Sequence, residues 1–206
     1  MNNSKIACEF ILNRFSISYI AEKNNMSKAE VVKSIFGFLI NHPNTSYKGK
    51  IKRKLKIELT KQFLASHVNT EVFSEEYGMD VTSFRKLMRE VIDDYELVQS
   101  NALANKLFIK LMSGTYIKSK YVPKRIVKQI CLLYVGENYL TQDDLASIYG
   151  TRRETIASIF KRGIAENIID DVTADKIIMK VSCYNKSVEA YDLAFDERAK
   201  HKAVQS

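Results

Sequence analysis

The stretch from Leu140 to Asp171, LTQDDLASIYGTRRETIASIFKRGIAENIIDD, constrains this chain more than any other part of it. Two short runs of apolar residues at helical spacing flank one glycine. In the first run Leu145 and Ala146 face inward, and Ala146 is small enough to bring two helices close. Gly150 stands where a tight turn needs a positive φ at no steric cost. Thr151 with Glu154 three residues on has the spacing of a capping box, which predicts a second helix starting at Thr151. Ile156, Ile159 and Phe160 form its buried stripe, leaving Arg152, Arg153, Ala157, Ser158 and Lys161 on the outer face. Two helices joined in this way read as a helix-turn-helix, whose second helix can enter the major groove of DNA.

The pattern occurs twice more upstream. In ISYIAEKNNMSKAEVVKSIFGFLINHP, Ala21 takes the small-residue place, Asn24-Asn25 supplies a turn one residue longer than that at Gly150, and Ser27 with Glu30 repeats the capping box. Lys28 and Lys33 are its outward cations, while Phe36 and Phe38 make packing an alternative role. In TEVFSEEYGMDVTSFRKLMREVIDDYELV, Ser74 is the small residue, Gly78 sits at the turn and Asp80 caps a helix burying Phe84, Leu87, Met88 and Val91. Arg85, Lys86 and Arg89 then share its outer face. The three small residues are unevenly spaced, which indicates related modules rather than a solenoid.

Between the first two modules, Lys48 to Lys61 holds seven Lys/Arg and one acid, with Lys52, Arg53 and Lys54 at its centre. Leu55, Leu59 and Phe63 step by four and predict a helix, although Leu55, Ile57 and Leu59 also alternate as a strand would. These cations read either as a solvated face with lysine stems along apolar surface or as phosphate contacts. A helix burying Leu103, Leu107 and Leu111 is predicted to end at Gly114. Tyr116 to Arg125 is a basic connector carrying Lys118 and Lys120, and Pro123 opens the supporting helix of the last module. After the opening stretch the period changes. Ile168-Ile169, a turn at Thr173-Ala174-Asp175, and Ile177 to Val181 read as a two-stranded hairpin, a wing presenting Lys176 and Lys180. Val188 to Val204 is predicted as a final helix, with Tyr191, Leu193, Ala194 and Phe195 available for packing or for a dimer contact.

The segment 140–170 resembles the helix-turn-helix of the Crp/Fnr family of bacterial transcription regulators. Thr141-Gln142, Leu145-Ala146, Gly150, the run Thr151 to Ile156 and Ile168-Ile169 carry the resemblance. It implies that Arg153 and Glu154 correspond to the arginine–glutamate pair with which that family reads bases. Ser158 falls where the family often has a further basic reader. No glycine-punctuated β-barrel of the kind that binds a cyclic nucleotide precedes it, so the resemblance concerns the DNA-binding motif alone.

Two prolines and seven glycines in 206 residues are too few for a sandwich or barrel of tight turns. A 46% hydrophobic content suffices for a core and excludes wholesale disorder. The expected fold is mainly α, with tandem helix-turn-helix units over 1–46, 47–114 and 115–206, the last one winged. A net charge of +8 suits a polyanion. Three thiols without a close pair suggest neither a disulfide framework nor a CxxC site, and the three histidines are isolated, so no metal is expected. No phosphate-binding glycine loop occurs, and the Asp-Asp pairs fall at helix ends and turns, so neither cofactor nor catalysis is expected. With no apolar leader and no run of about 20 apolar residues, the expected setting is the cytoplasm, at the nucleoid, with no membrane association.

These features together predict sequence-specific binding of double-stranded DNA, in a transcriptional repressor or activator of a low-GC bacterium, phage or plasmid. A DNA-binding part of replication, packaging or sigma-like machinery is the alternative, as is a helix-turn-helix that binds protein. A homodimer and a contact with RNA polymerase stay open.

Overall fold

The computed structural model describes residues 3–113, 118–136 and 140–183, and the described residues contain helices and no strand. The chain divides into two compact units, Met1–Ile117 and Lys118–Ser206. The first unit holds α1 (Asn3–Ile11), α2 (Ile17–Lys23), α3 (Lys28–Asn41), α4 (Lys48–Ala65), α5 (Thr70–Glu76), α6 (Val81–Asp93) and α7 (Asn101–Met112). In the second, a 3₁₀ turn (Ser119–Tyr121) precedes α8 (Lys124–Gly136), α9 (Gln142–Ile148), α10 (Arg153–Ala165) and α11 (residues 171–183). The segments expected as separate domains 1–46 and 47–114 lie together in the first unit. The helix predicted over Val188 to Val204, with its dimer face, lies outside the described residues.

Three helix pairs share one local design. α2, α5 and α9 each have seven residues, and the partner helix begins eleven residues later every time (Ile17 to Lys28, Thr70 to Val81, Gln142 to Arg153). Each short helix ends on a left-handed residue: Asn25 at φ 50°, Gly78 at 63° and Gly150 at 59°. The next amide then donates back to the small residue five positions earlier, Met26 to Ala21, Met79 to Ser74 and Thr151 to Ala146, each at 2.8 Å. This is the Schellman closure, which satisfies carbonyls a helix end would otherwise leave bare. The first turn is therefore not a residue longer than the others. Asn25, tolerated in this conformation by its short polar side chain, stands where the other two pairs place glycine.

The turn also sets where the second helix starts. The cap lies two residues beyond the left-handed one, at Ser27, Asp80 and Arg152. Ser27 forms the full capping box with Glu30, and Asp80 accepts from the Ser83 amide at 2.9 Å. Arg152 provides no side-chain cap, and the expected box of Thr151 with Glu154 does not form: Thr151 is one residue early, and its buried hydroxyl has no partner. The box in this pair is on the short helix instead, between Thr141 and Asp144.

The strand expectation for 168–182 is overturned. Asn167 takes a left-handed φ of 51°, the Ile168 amide returns to the Gly163 carbonyl at 2.9 Å, and the Asp170 carboxylate accepts from the Thr173 amide at 2.7 Å to start α11. A strand would have put Ile177 and Met179 on one face. Here Thr173, Ala174 and Ile177 are buried, while Met179 is 65% exposed, which is helical periodicity. Ile57 likewise lies in a helix, α4, whose buried positions are Ile51, Leu55, Leu59 and Phe63.

A second device recurs three times. A lysine on a later helix lays its ammonium group over an aromatic ring near the end of the pair's supporting helix and donates to backbone carbonyls there. Lys54 of α4 covers Phe10 at 4.3 Å and donates to the Phe10 carbonyl and, at 2.9 Å, to that of Phe15. Lys110 of α7 covers Phe63 at 4.7 Å and donates to the Phe63 and Ser66 carbonyls. Lys180 of α11 covers Tyr134 at 4.3 Å and donates to its carbonyl at 2.7 Å. Burial pushes all three ammonium groups below the usual lysine range. The cation meets both the ring face and the bare carbonyls of the helix C-terminus, where positive charge is favoured. The repeat is thus four helices, α1–α4, α4–α7 and α8–α11, with α4 closing the first and opening the second.

The core of the α4–α7 repeat is aromatic. Phe63 meets Phe73 and Phe84 edge-on at 5.0 and 5.2 Å between centroids, and Tyr77 stacks on Phe73 at 4.4 Å. Edge-to-face and offset pairs of this kind contribute about 0.5–1.5 kcal/mol each beyond the area they bury.

Candidate nucleic-acid interface

The second helix of each pair is where a groove-reading surface would lie, and the three differ in what covers them. α3 packs its N-terminus on the α5–α6 turn. Lys28 pairs with Glu76 at 2.6 Å and lies 5.2 Å from the Tyr77 ring centre, and a Cβ on Gly78 would come within 2.8 Å of Ala29 Cβ. Both partners raise the Lys28 pKa above the usual lysine range, the Glu76 hydrogen bond most. Lys28 is thereby committed inside the protein, whereas Lys33, one turn on, is exposed.

α6 buries Phe84, Met88, Val91 and Ile92 and turns its basic residues outward. Lys86 is exposed. Arg85 is half-buried and paired with Glu71 at 2.7 Å, yet its buried Nε has no partner. Arg89 donates from its Nε to the Arg85 backbone carbonyl at 3.1 Å, which ties its guanidinium stem back along the helix.

α10 buries Thr155, Ile156, Ile159, Phe160 and Gly163, all toward the rest of its unit. Gly163 allows that approach: a Cβ there would stand 3.0 Å from Cys131 Sγ on α8. Arg152, Arg153, Glu154, Ser158 and Lys161 are all exposed. Ser158 spends its hydroxyl on the Glu154 carbonyl at 2.8 Å. The 3₁₀ turn bearing the exposed Lys118 and Lys120 packs on α10 through Arg162, which donates to the Ser119 and Val122 carbonyls at 2.7 and 2.6 Å. Arg162 is a residue that pattern reading passed over. Its part is to fix the connector to the helix, and only the fold reveals it.

The remaining cations separate. Lys52 is exposed on α4, and Arg53 is exposed but paired with Glu96 at 2.6 Å. Lys176 is exposed on α11. Lys54 and Lys180 are turned onto backbone carbonyls, as described above, because a C-terminal helix end outcompetes water for a lysine that must lie against it. Among the described residues no group of three or more potential metal ligands occurs, and no helix is long and apolar enough to cross a membrane. No protein-family model, curated protein or solved structure significantly matches this chain.

Proposed function

We propose that the chain binds double-stranded DNA sequence-specifically as a transcriptional regulator without catalytic activity, with α10 as its principal reader and α6 as a second. The observation that carries this reading is the exposed N-terminal face of α10, where Arg152, Arg153 and Glu154 stand on the first turn and Lys161 two turns on. Side chains at the start of a groove-bound helix reach base edges first, and an arginine fork can donate twice to a guanine. Arg152 and Lys161, with Lys118, Lys120 and Lys176, would supply about five phosphate contacts, giving a log–log salt slope of about −4.5. In this reading α3 contributes nothing at its N-terminus, which serves as a contact surface between the repeats. Lys176 survives as a flanking contact, on a helix and not on a wing.

The test begins with selection of a preferred duplex from random DNA by the full chain. Arg153→Ala should then lose discrimination at one base pair, worth about 1–3 kcal/mol, while binding scrambled DNA as the parent does. An unchanged preference would remove α10 as the reader; no preferred duplex at all would remove the DNA reading. The alternatives in replication, packaging or sigma-like machinery share this face and would differ in requiring a protein partner such as RNA polymerase.

A further inference from the structure

Two of the three helix pairs close their turn on the same two residues. Tyr77-Gly78 in α5–α6 and Tyr149-Gly150 in α9–α10 each place a buried tyrosine before a left-handed glycine. The α2–α3 turn has Asn24-Asn25 instead. The first Tyr-Gly turn is a filled socket: the start of α3 lies on it, with Lys28 on Glu76 and the Tyr77 ring, and Ala29 over Gly78. The second is open. Among the described residues a Cβ on Gly150 meets nothing within 4 Å, and Ile148, which stands in the place of Glu76, is 49% exposed. Asn25 shows that the turn itself can be made without glycine. A close neighbour at this point cannot be received without it, as the 2.8 Å approach at Gly78 shows.

What fits the open socket follows from what fills the other one. The occupant is the first turn of a helix that follows such a turn, and the described chain offers three: Lys28-Ala29 on α3, Val81-Thr82 on α6 and Arg153-Glu154 on α10. Lys28 is taken by Glu76. Ile148 gives the charged pair of α10 no partner, and desolvating a charge against it is costly. It matches Val81, which is half-buried and is followed by the exposed Thr82 in the place of Ala29. The ion pair of the filled socket is thus replaced by an apolar pair on both sides at once.

We propose that the α9–α10 turn is a docking site for a second copy of this chain, which inserts the first turn of its α6. Val81 rests on Ile148, and Thr82 lies over Gly150. Nothing described in its own chain fills the socket, so the occupant comes from another. Each copy carries one α6 and one open socket, so two copies exchange contacts and close a dimer. The contact uses none of Arg85, Lys86 and Arg89, so it stands independently of the DNA reading.

The test is analytical sedimentation of the full chain over a range of concentrations. The parent should pass from one chain to two as concentration rises. Ile148→Glu and Val81→Lys, each alone, should weaken that association about tenfold or more, because each sets a charge against an apolar partner. An equimolar mixture of the two variants should recover association. One brings the lysine and the other the carboxylate, rebuilding the pair that Lys28 makes with Glu76, while the opposite contact keeps valine on isoleucine. A variant that merely misfolds is not rescued by mixing. A parent that stays monomeric, single variants that associate as the parent does, or a mixture that does not recover would each overturn the proposal. Recovery with both substitutions in one chain, but not in the mixture, would place the contact within one molecule and overturn it as well.

Discussion

Gly78 and Gly150 hold the same place in two copies of one turn, with φ of 63° and 59°, and differ in their surroundings. A Cβ on Gly78 meets Ala29 Cβ at 2.8 Å and its backbone Cα at 3.2 Å; a Cβ on Gly150 meets nothing within 4 Å. A left-handed non-glycine residue costs about 1–2 kcal/mol, of which the reduced freedom of the unfolded chain returns roughly 0.4–1. Gly150→Ala should therefore cost about 1 kcal/mol. Gly78→Ala adds overpacking against α3, about 1–3 kcal/mol more, for a total of about 2–4. At roughly 4 °C per kcal/mol for a unit of this size, the melting shifts are about 4 °C and about 8–16 °C. Hydrogen exchange read by mass spectrometry assigns each loss to its own unit, so the two variants serve as controls for one another. Ala29→Gly on top of Gly78→Ala should return part of the excess, only part because the Ala29 backbone stays in place. Equal losses in the two single variants, or strict additivity in the double, would refute the tight seam between the α5–α6 turn and α3.

Arg152→Asp should stabilise the second unit by about 1 kcal/mol in urea denaturation, because it supplies the cap that α10 lacks, and should weaken DNA binding in the same preparation. Cys8 and Cys183 are exposed, whereas burial pushes the Cys131 thiol up to about 12, so a thiol reagent should count two fast sulfhydryls and a third only on unfolding; three fast ones would contradict the packing of Cys131 against Gly163. Amide and hydroxyl donors at helix starts hold Glu30, Asp80, Asp144 and Asp170 below the usual carboxylate range. A depressed folded pKa means stability that is full above the ordinary value and lost as pH falls through the folded one, so the urea midpoint should hold level down to about pH 5 and drop below about pH 4. A decline that begins near pH 6 would point to histidine and count against the caps.

Much of the architecture is written in short-range chemistry, and that part could be read from the chain. Gly78, Gly150, Ser27 with Glu30, and Asp80 act within a few residues of themselves, and the stripes Val31-Val32-Ile35 and Ile156-Ile159-Phe160 repeat at the period of the helix they build. The errors arose where a local signal was degenerate. Thr151 with Glu154 has a capping spacing, but the left-handed residue at 150 sets the frame and puts Arg152 at the cap. Ile177, Met179 and Val181 alternate as a strand would, yet Asp170 opens a helix whose buried positions are Thr173, Ala174 and Ile177.

The candidate site divides along the same line. The outward places of Arg152, Arg153, Lys161 and Lys86 follow from periodicity alone. The fates of Lys28, Lys54 and Lys180 do not, because a lysine is equally at home in water, on phosphate or on a carbonyl, and the choice lies with groups far away in the chain. Glu76 and Tyr77 take Lys28, and helix ends 44 to 46 residues back take Lys54 and Lys180. Helix propensity, turns and caps are properties of neighbours in sequence, and the 206 residues determine them by themselves. Which cations are withdrawn from solvent, as Lys28, Lys54 and Lys180 are, is decided only by tertiary structure, since a charge is committed by whatever carbonyl, ring or carboxylate the fold brings within reach of it.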